Sequence, residues 1–531
     1  MCSMDTGRAL GVHFRLSNAM ENSMSFPRSS GILLHPTSLP GPHGIGDFGP
    51  EAYRFVDFLK TAGQKLWQVL PLNPTGYGDS PFQCFSATAG NPFLLSLERL
   101  LDQGLLQKSD LDASPSFPWE QIDYPAVIAF KTALLTKAAV VFFESTSPAP
   151  QVAYQQFCGE NAAWLDDFAL FMALKGALGG VAWTRWPPEI ASRQPLAISQ
   201  WSNRLATEIE VIKYWQFEFF RQWQNLRAYA HDRGVQVIGD IPIYVAHDSA
   251  DVWTNRGLFS LDDQGNPLKV AGVPPDYFSA TGQLWGNPIY NWTLLEKTGF
   301  RWWIDRFQSA MRLYDIMRID HFRGFEAYWE VPGTDTTAVN GQWIKGPGAA
   351  LFTVLQAELG QLPVIAENLG RITPEVEAIR HQFGFPGMAI LQFGFGTDEQ
   401  AHTFRPHNLV RELVAYTGTH DNDTIAGWWS SQGDAGDSIS TPEEVKKEHT
   451  FARSYLNFSD EPVHWAFIRA VLASVANTAI VPLQDLLGLG SEARMNLPGT
   501  SSGNWRWRAK PGVFTPGLAA QLGQLALLYE R

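Results

Sequence analysis

Short apolar runs bounded by turn residues recur along the chain and alternate with stretches of helical periodicity. Stretches such as EAYRFVDFLKTAG and WWIDRFQSAMRLY place apolar residues three and four positions apart, as in a helix that packs on a sheet. Eight strands alternating with helices predict an α/β fold in which a parallel sheet closes into a (β/α)₈ TIM barrel. The eight apolar runs are GILLHP (31–36), LWQVLPL (66–72), VQVIGDIPI (235–243), YDIMRID (314–320), LPVIAE (362–367), GMAILQF (387–393), ELVAYTG (412–418) and NTAIVPL (477–483).

Two connections between these strands are far longer than a single crossover requires. Residues 73–205 contain several helical patterns, including NAAWLDDFALFMALKGAL, and predict a mainly helical insertion on the C-terminal rim of the barrel. Residues 244–300 are rich in Gly, Pro, Asp and Trp, and such long irregular segments are usually binding loops or lids. We therefore expect one catalytic barrel over residues 26–531, interrupted by these two insertions and preceded by an N-terminal tail, residues 1–25.

Charge and cysteine content limit the partners and the compartment. The formal net charge of −13 argues against nucleic acid and against an anionic membrane as the main partner. Charges such as Lys131 interrupt the longest apolar run, so a buried helix explains it better than a membrane span. The cysteines, Cys2, Cys84 and Cys158, are far apart, which indicates neither disulfides nor a zinc site and fits a reducing compartment. Because residues 1–25 lack a continuous apolar segment, we expect a cytoplasmic protein, or one of the plastid stroma if they form a transit peptide.

The segment PGPHGIGDFGPEAY contains the pattern G-x-G-x-x-G at Gly44, Gly46 and Gly49, which in some proteins binds a dinucleotide. Such a site requires the first glycine to follow directly on a strand, yet the predicted strand ends near Leu34 and three prolines intervene. Asp47 would also repel a pyrophosphate brought close to the glycines. The pattern therefore predicts a loop after the first strand and no dinucleotide cofactor.

Four acids stand where predicted strands end: Asp240 in VIGDIP, Asp320 in IMRIDHFRG, Glu367 in VIAENLG and Asp421 in TGTHDND. In a barrel the catalytic residues lie at the C-terminal ends of the strands. One acid at such a place is more often a cap or turn residue. Several of them, each costly to bury unless paired or functional, favour a catalytic site.

The neighbours of these acids suggest different roles for them. Side chains alternate along a strand, so Arg318 faces the same way as Asp320 and keeps it ionised, as a nucleophile requires. Glu367, placed near that anion, should have a raised pKa and hold its proton, as a general acid requires. The chain has 20 tryptophans and 34 phenylalanines, and a sugar-binding cleft is one use for such an excess, because aromatic faces pack on the C–H faces of sugar rings. In such a cleft Asp421 can stabilise positive charge that develops on a sugar ring.

Two histidines stand next to the proposed acids along the chain, His321 after Asp320 and His420 before Asp421. Both can donate hydrogen bonds to sugar hydroxyls. Metal binding is the rival use of clustered acids, but each acid comes from a separate strand and the histidines lack tight ligand spacing. A serine hydrolase is also disfavoured because no G-x-S-x-G motif occurs. We expect neither a metal nor an organic cofactor.

These motifs resemble those of the amylomaltases, also called disproportionating enzymes or 4-α-glucanotransferases, which are relatives of the α-amylase clan. The similar stretches follow one another from about residue 30 to about residue 510 and are GILLHPTSLPGPHGIGDFG, NPTGYGDSPFQ, GDIPIYVAHDSADVW, GQLWGNP, RIDHFRGFEAYWEVP, AENLG, GTHDND and MNLPGTSSGNWRWR. The sequence departs from the family pattern at Cys84, where Ser is expected, and at Asn368, where Asp is frequent.

The resemblance implies that Asp320 is the nucleophile, Glu367 the acid/base and Asp421 the transition-state stabiliser, in agreement with the roles reasoned from their neighbours. It further implies that the loop carrying Trp285 arches over the cleft. The glycines of this loop permit movement and Tyr277, Phe278 and Trp285 can cover a sugar chain, so we expect a lid, with a rigid structural loop as the alternative. The donor-sugar subsites are implied to be lined by Tyr77, Asp240, Arg318, His321 and His420.

The implied reaction is retaining transfer of α-1,4-glucan segments to the 4-hydroxyl of glucose or a maltooligosaccharide. Two alternatives remain at this stage. One is a hydrolase of the same clan, in which water replaces the acceptor sugar. The other is a glucan-binding protein without activity, which the complete set of three acids disfavours.

Overall fold

The computed structural model describes residues 26–144, 148–275, 281–432, 441–500 and 502–531. The expected N-terminal tail, residues 1–25, lies outside these described residues. The same holds for Tyr277 and Phe278 of the candidate lid.

Eight parallel strands form one sheet. Its strands lie side by side in the order in which they occur along the chain, as in a barrel. The sheet runs β10-β11-β12-β1-β2-β3-β6-β9, and the N–H of Ala366 in β9 donates to Pro386 O, 2.9 Å away and just before β10, at the remaining seam. Each of these strands overlaps one of the predicted apolar runs, so the (β/α)₈ prediction is confirmed. The strands of the described residues are β1 (Ser29–Leu33), β2 (Leu66–Gln68), β3 (Gln236–Pro242), β4 (Lys269–Val273), β5 (Gln283–Pro288), β6 (Ile316–Asp320), β7 (Ala327–Pro332), β8 (Gln342–Lys345), β9 (Val364–Ala366), β10 (Gly387–Ile390), β11 (Leu413–Tyr416) and β12 (Thr478–Pro482).

Helices fill most of the connections between the barrel strands. The segment predicted as a helical insertion, residues 73–205, contains α2 to α7, and the long helix α8 that follows it leads into β3. The described α-helices are α1 (Pro50–Thr61), α2 (Leu97–Asp102), α3 (Lys108–Asp112), α4 (Tyr124–Glu144), α5 (Pro148–Ala177), α6 (Pro188–Ala191), α7 (Pro195–Arg204), α8 (Ala206–His231), α9 (Ala250–Thr254), α10 (Trp292–Lys297), α11 (Arg301–Leu313), α12 (Ala349–Leu359), α13 (Pro374–Gln382), α14 (Ile425–Ser430), α15 (Pro442–Leu456), α16 (Val463–Ala473), α17 (Leu483–Leu487) and α18 (Pro516–Leu528).

The G-x-G-x-x-G segment forms the loop between β1 and α1, as predicted. A side chain on Gly46 would place its Cβ 2.1 Å from Pro36 O, so only glycine permits this close approach of backbone to backbone. Asp47 accepts a hydrogen bond from the N–H of Gly49 (2.9 Å), and Pro50 occupies the first turn of the helix that follows. The glycines therefore serve the packing of this loop.

Helix α4 is the one described helix long and apolar enough to cross a membrane by length and composition. Its Lys131 is fully buried, and the ammonium group donates to the carbonyl oxygens of Phe93 (2.8 Å) and Leu95 (2.7 Å). The same group lies 3.2 Å from a carboxylate oxygen of Asp47 in the loop after β1. The ion pair between Lys131 and Asp47 therefore joins helix α4 to the loop after β1 of the barrel.

A second sheet corrects the expectation of an irregular loop over residues 244–300. This sheet is antiparallel, with the order β5-β4-β7-β8, and its strands come from the connections that precede and follow β6. Glycines made these strands difficult to predict, because glycine is typical of turns. Gly272 lies in β4, where the neighbouring strand approaches so closely that a Cβ would lie 2.4 Å from Gln283 O. Strands β7 and β8 were likewise absent from the sequence prediction.

Candidate active site

The four predicted strand-end acids lie at one rim of the barrel. Asp240 belongs to β3 and Asp320 is the last residue of β6. Glu367 comes directly after β9, and Asp421 lies in the loop between β11 and α14. Because all eight strands are parallel, these positions are at the same end of the sheet, where barrel enzymes carry their chemistry.

Arg318 connects two of these acids across neighbouring strands. Its Nη1 atom lies 2.8 Å and 2.7 Å from the carboxylate oxygens of Asp240 and 2.9 Å from Oδ1 of Asp320. Burial raises the pKa of Asp240 to about 7, while the positive charge of Arg318 acts in the opposite direction. The guanidinium also stabilises the negative charge of Asp320, whose carboxylate is partly exposed to the cleft.

Glu367 is held by two backbone donors and has a raised pKa. Its Oε2 accepts from the N–H of His321 and its Oε1 from the N–H of Leu369, both at 2.7 Å. Burial first, and the negative charge of Asp320 second, raise the pKa of Glu367 to about 7, against the opposing effects of Arg318 and the two N–H donors. Near neutral pH this carboxyl group can therefore hold a proton beside an ionised neighbour.

His321 lies between the ends of β6 and β9, with its ring against Trp285. The backbone of His321 is left-handed, with φ 52°, and its Nε2 is buried without a hydrogen-bond partner in the described part of the chain. Burial lowers the pKa of His321 to about 4, so the imidazole is neutral near pH 7 and free to bond a ligand hydroxyl. The indole of Trp285, in β5, contacts the imidazole of His321 edge-on, with 4.8 Å between the ring centroids.

Asp421 and His420 form the opposite side of the site. Nε2 of His420 lies 3.4 Å from Oδ1 of Asp421, and Nδ2 of Asn496 donates to the same oxygen at 2.7 Å. The imidazole of His420 is stacked on Phe82 with 4.9 Å between ring centroids, and burial lowers its pKa. Arg494 adds a hydrogen bond of 2.8 Å to the backbone oxygen of Asp421.

Eight of the nine predicted site residues are connected by hydrogen bonds, ion pairs, ring contacts or electrostatic influence, since the charges of Arg318 and Asp320 act on the imidazole of His420. Tyr77 is the exception, because its side chain is 75% exposed and makes none of these contacts within the described residues. Its loop reaches the site through Phe82 instead.

The two departures from the family pattern have local partners. The buried thiol of Cys84 donates to Pro81 O at 2.7 Å. The Oδ1 atom of Asn368 accepts from the N–H of Met388, and its Nδ2 donates to Glu377 Oε1, both at 2.8 Å. An aspartate at position 368 would bring its carboxylate against that of Glu377, whereas the amide group of Asn368 donates a hydrogen bond to Glu377.

Sequence reasoning assigned no role to Asn496, Arg494 or Phe82. These residues occur in motifs quoted for the family resemblance, MNLPGTSSGNWRWR and NPTGYGDSPFQ, or immediately before the first of these. They lie in loops and not at strand ends, so the strand-end argument could not select them.

The arrangement places an anionic carboxylate next to a carboxyl group that titrates near neutrality. Two carboxyl groups with separated protonation states are what a retaining glycosidase or transglycosidase requires, one as nucleophile and one as acid/base. The neutral histidines and the aromatic rings around them suit a sugar ring, which offers hydroxyl groups and apolar C–H faces.

Comparison with known proteins agrees with this chemistry. A family model described as 4-alpha-glucanotransferase matches residues 34–514. The 4-alpha-glucanotransferase of Synechocystis sp. is 49% identical over 95% of this chain and 98% of its own length. The "4-alpha-glucanotransferase, chloroplastic/amyloplastic" of Solanum tuberosum is 43% identical over 94% of this chain and 85% of its own length.

Among solved structures, the amylomaltase of Streptococcus agalactiae in complex with acarbose superimposes with a TM-score of 0.89 at 42% identity. The similarity covers 95% of this chain and 99% of that one. A (β/α)₈ barrel with strand-end carboxylates, a family model over most of the length and relatives near half identity all agree. The chain therefore belongs to the 4-alpha-glucanotransferase family.

Proposed function

We propose that this 4-α-glucanotransferase, which acts on α-1,4-glucans, works by double displacement with Asp320 as nucleophile and Glu367 as acid/base. Asp421 stabilises the positive charge of the transition state. The remaining predicted residues line the donor-sugar subsites. Among them Asp240 holds Arg318, Arg318 holds Asp320 in place, and the two histidines meet hydroxyl groups.

The first step breaks the glycosidic bond. A carboxylate oxygen of Asp320 attacks the anomeric carbon while Glu367 gives its proton to the departing 4-oxygen. In the second step Glu367 removes the proton from the 4-hydroxyl of an acceptor sugar. That oxygen then attacks the anomeric carbon and releases Asp320 as a carboxylate, so both residues return to their starting states.

The observation that carries this proposal is the environment of Glu367. Burial and the nearby anion of Asp320 raise its pKa to about 7, so it can act as an acid in one step and a base in the next. Arg318, which bonds Asp320 at 2.9 Å, favours the ionised form that a nucleophile needs.

Incubation with maltotriose tests the reaction type. We expect glucose together with a ladder of longer maltooligosaccharides, because transfer moves maltosyl units to an acceptor. Shortening without elongation would identify a hydrolase, and an unchanged substrate would identify a protein that only binds glucan. Chromatography of the products separates these outcomes.

Shielding of the intermediate from water gives a second prediction, for Trp285. Transfer requires that an acceptor sugar reach the glycosyl-Asp320 ester before water does, and exclusion of water from the site serves this purpose. Trp285 contacts His321 beside Asp320, so its ring can cover this position. In Trp285→Ala, loss of an aromatic contact of about 0.5–1.5 kcal/mol should raise the ratio of hydrolysis to transfer about 2- to 10-fold.

With maltotriose, only hydrolysis adds net reducing ends, whereas transfer releases glucose without adding any, so both rates can be measured in one mixture. The matched control is Trp119→Ala, which removes an indole that is 58% exposed. An unchanged ratio in Trp285→Ala, at a normal rate of transfer, would show that this residue does not shield the intermediate.

The compartment remains a proposal as well. We place the chain in the cytoplasm, with the plastid stroma as the alternative that the name of the potato relative suggests. Cys84 and Cys158 are free thiols, as suits a reducing compartment. Microscopy of the full chain fused at its C-terminus to a fluorescent protein distinguishes the two locations.

A further inference from the structure

Residues 417–425, which are the loop between β11 and α14 together with the first residue of α14, carry the proposed stabiliser Asp421 and His420. This loop starts where β11 ends and returns to the barrel at the N-terminus of α14. The position of Asp421 relative to the sugar therefore depends on how the two ends of this loop are held.

One carboxylate contacts both ends of the loop. Asp485 in α17 accepts a hydrogen bond from the hydroxyl group of Thr417 at 2.6 Å, through Oδ2. Its other oxygen, Oδ1, accepts from the backbone N–H of Ile425 at 2.8 Å. The residue is only 2% exposed, and it has no part in the reaction steps described above.

A small cavity lies beneath this loop. It has a volume of about 20 Å³ and lies between the loop and the ends of β1 and β12. The lining includes His35, His420, Asn422, Asp485 and Met495. Both ends of the loop, Thr417 and Ile425, are buried, and hydrogen bonds to the barrel add to this packing in fixing the position of the loop.

Other fixed points of the loop come from Gln392, whose backbone N–H donates to Thr417 O at 3.3 Å and whose Nε2 donates to Asp423 O at 3.2 Å, and from the part of the chain that follows Asp485. The hydroxyl group of Ser491 donates to Asp423 at 2.6 Å, and Asn496 donates to the carboxylate of Asp421. Among these contacts only those of Asp485 join the first and last residues of the loop. Burying a carboxylate is costly, and two well-placed donors are the compensation that makes it stable there.

We propose that Asp485 is a positioning residue for the known reaction, which holds the loop 417–425 so that Asp421 faces the sugar in the transition state. The inference rests on the role proposed for Asp421. A displacement of about 1 Å in a catalytic group can reduce turnover on the order of 100-fold, while binding of the rest of the substrate changes little.

Two substitutions at position 485 separate hydrogen bonding from charge. Asp485→Ala removes both contacts. Asp485→Asn keeps them, because its oxygen can accept from Ile425 while its amide group donates to the Thr417 oxygen, which is also an acceptor. If Asp485→Ala does not fold, Thr417→Val takes its place, because it removes the hydroxyl group that donates to Asp485. Thr417→Ser, which keeps that hydroxyl group, then takes the place of Asp485→Asn.

The matched control is Asp315, an acid at the opposite end of the barrel. It precedes β6 and accepts from the N–H of Val237 at 2.7 Å, besides pairing with Arg227 and His231. Asp315→Ala should therefore lower the Tm, as Asp485→Ala does, without moving a catalytic group. Asp421→Asn serves as the reference for complete loss of the stabiliser.

The measurement is kcat and KM for maltotriose below the Tm of every variant. We expect kcat to fall about 10- to 100-fold in Asp485→Ala, with KM within about threefold. Asp485→Asn and Asp315→Ala should stay within about threefold of the unmodified enzyme in kcat. A kcat in Asp485→Ala no lower than in Asp315→Ala, or no recovery in Asp485→Asn, would overturn the inference even though Asp421→Asn is impaired. Full activity of Asp421→Asn would instead overturn the role proposed for Asp421, and the inference with it.

Discussion

Asp320→Asn is expected to abolish turnover, with kcat reduced on the order of 10⁴-fold or more, while the fold stays intact. An amide is too weak a nucleophile to form the glycosyl ester, so the first step cannot occur. The structure accounts for the intact fold, because Arg318 keeps both of its contacts to Asp240 when the charge at position 320 is lost. Initial rates with maltotriose measure the loss, and circular dichroism and Tm report on the fold.

The unmodified enzyme supplies the direct test of the same assignment. Incubation with an activated fluoro-sugar donor should trap the covalent intermediate, and mass spectrometry should place the adduct on the peptide that contains Asp320. An adduct on Glu367 or on Asp421 would show that the nucleophile has been wrongly assigned.

Glu367→Gln is expected to lose about 10²- to 10⁴-fold of the activity on maltooligosaccharides. The loss should be smaller on donors with good leaving groups, which need little protonation. External azide should restore the second step, since it attacks the intermediate without needing a base. Equal impairment on both kinds of donor, with no effect of azide, would exclude Glu367 as the acid/base.

The raised pKa of Glu367 adds a pH dependence to this prediction. The first step needs the protonated carboxyl group, whose pKa is about 7, so kcat/KM should fall as the pH rises through that value. In Glu367→Gln the residue no longer titrates, and this decline on the alkaline side should disappear from the residual activity on activated donors. A decline that persists in the variant would assign the titration to another group.

Much of the barrel, and the grouping of the candidate site residues at its rim, could be predicted from the sequence because both depend on short-range patterns. The alternation of side chains in β6 places Arg318 and Asp320 on the same face, and the ion pair between them follows from that spacing. Each barrel strand is a short apolar run between turn residues, which a single sequence displays directly.

The antiparallel sheet and the supports of Asp421 could not be predicted in the same way. Strands β4 and β5 contain glycines and a proline that are typical of turns. They are strands because β4 pairs with β5 on one side and with β7, from beyond β6, on the other. Asp485 stands in a helix after the last barrel strand, and nothing in PLQDLLGLG indicates a hydrogen bond to residues about sixty positions earlier. Contacts of this kind depend on the folded topology.

The buried ion pair between Lys131 and Asp47 has a consequence for cooperativity of unfolding. If helix α4 separated from an otherwise folded barrel, Asp47 and the carbonyl oxygens of Phe93 and Leu95 would lose their common partner. Leaving such a charge uncompensated costs about 3–5 kcal/mol, so a partly unfolded state without α4 is strongly disfavoured. We therefore expect helix α4 to unfold in the same transition as the barrel, although the sequence predicts it as part of an insertion.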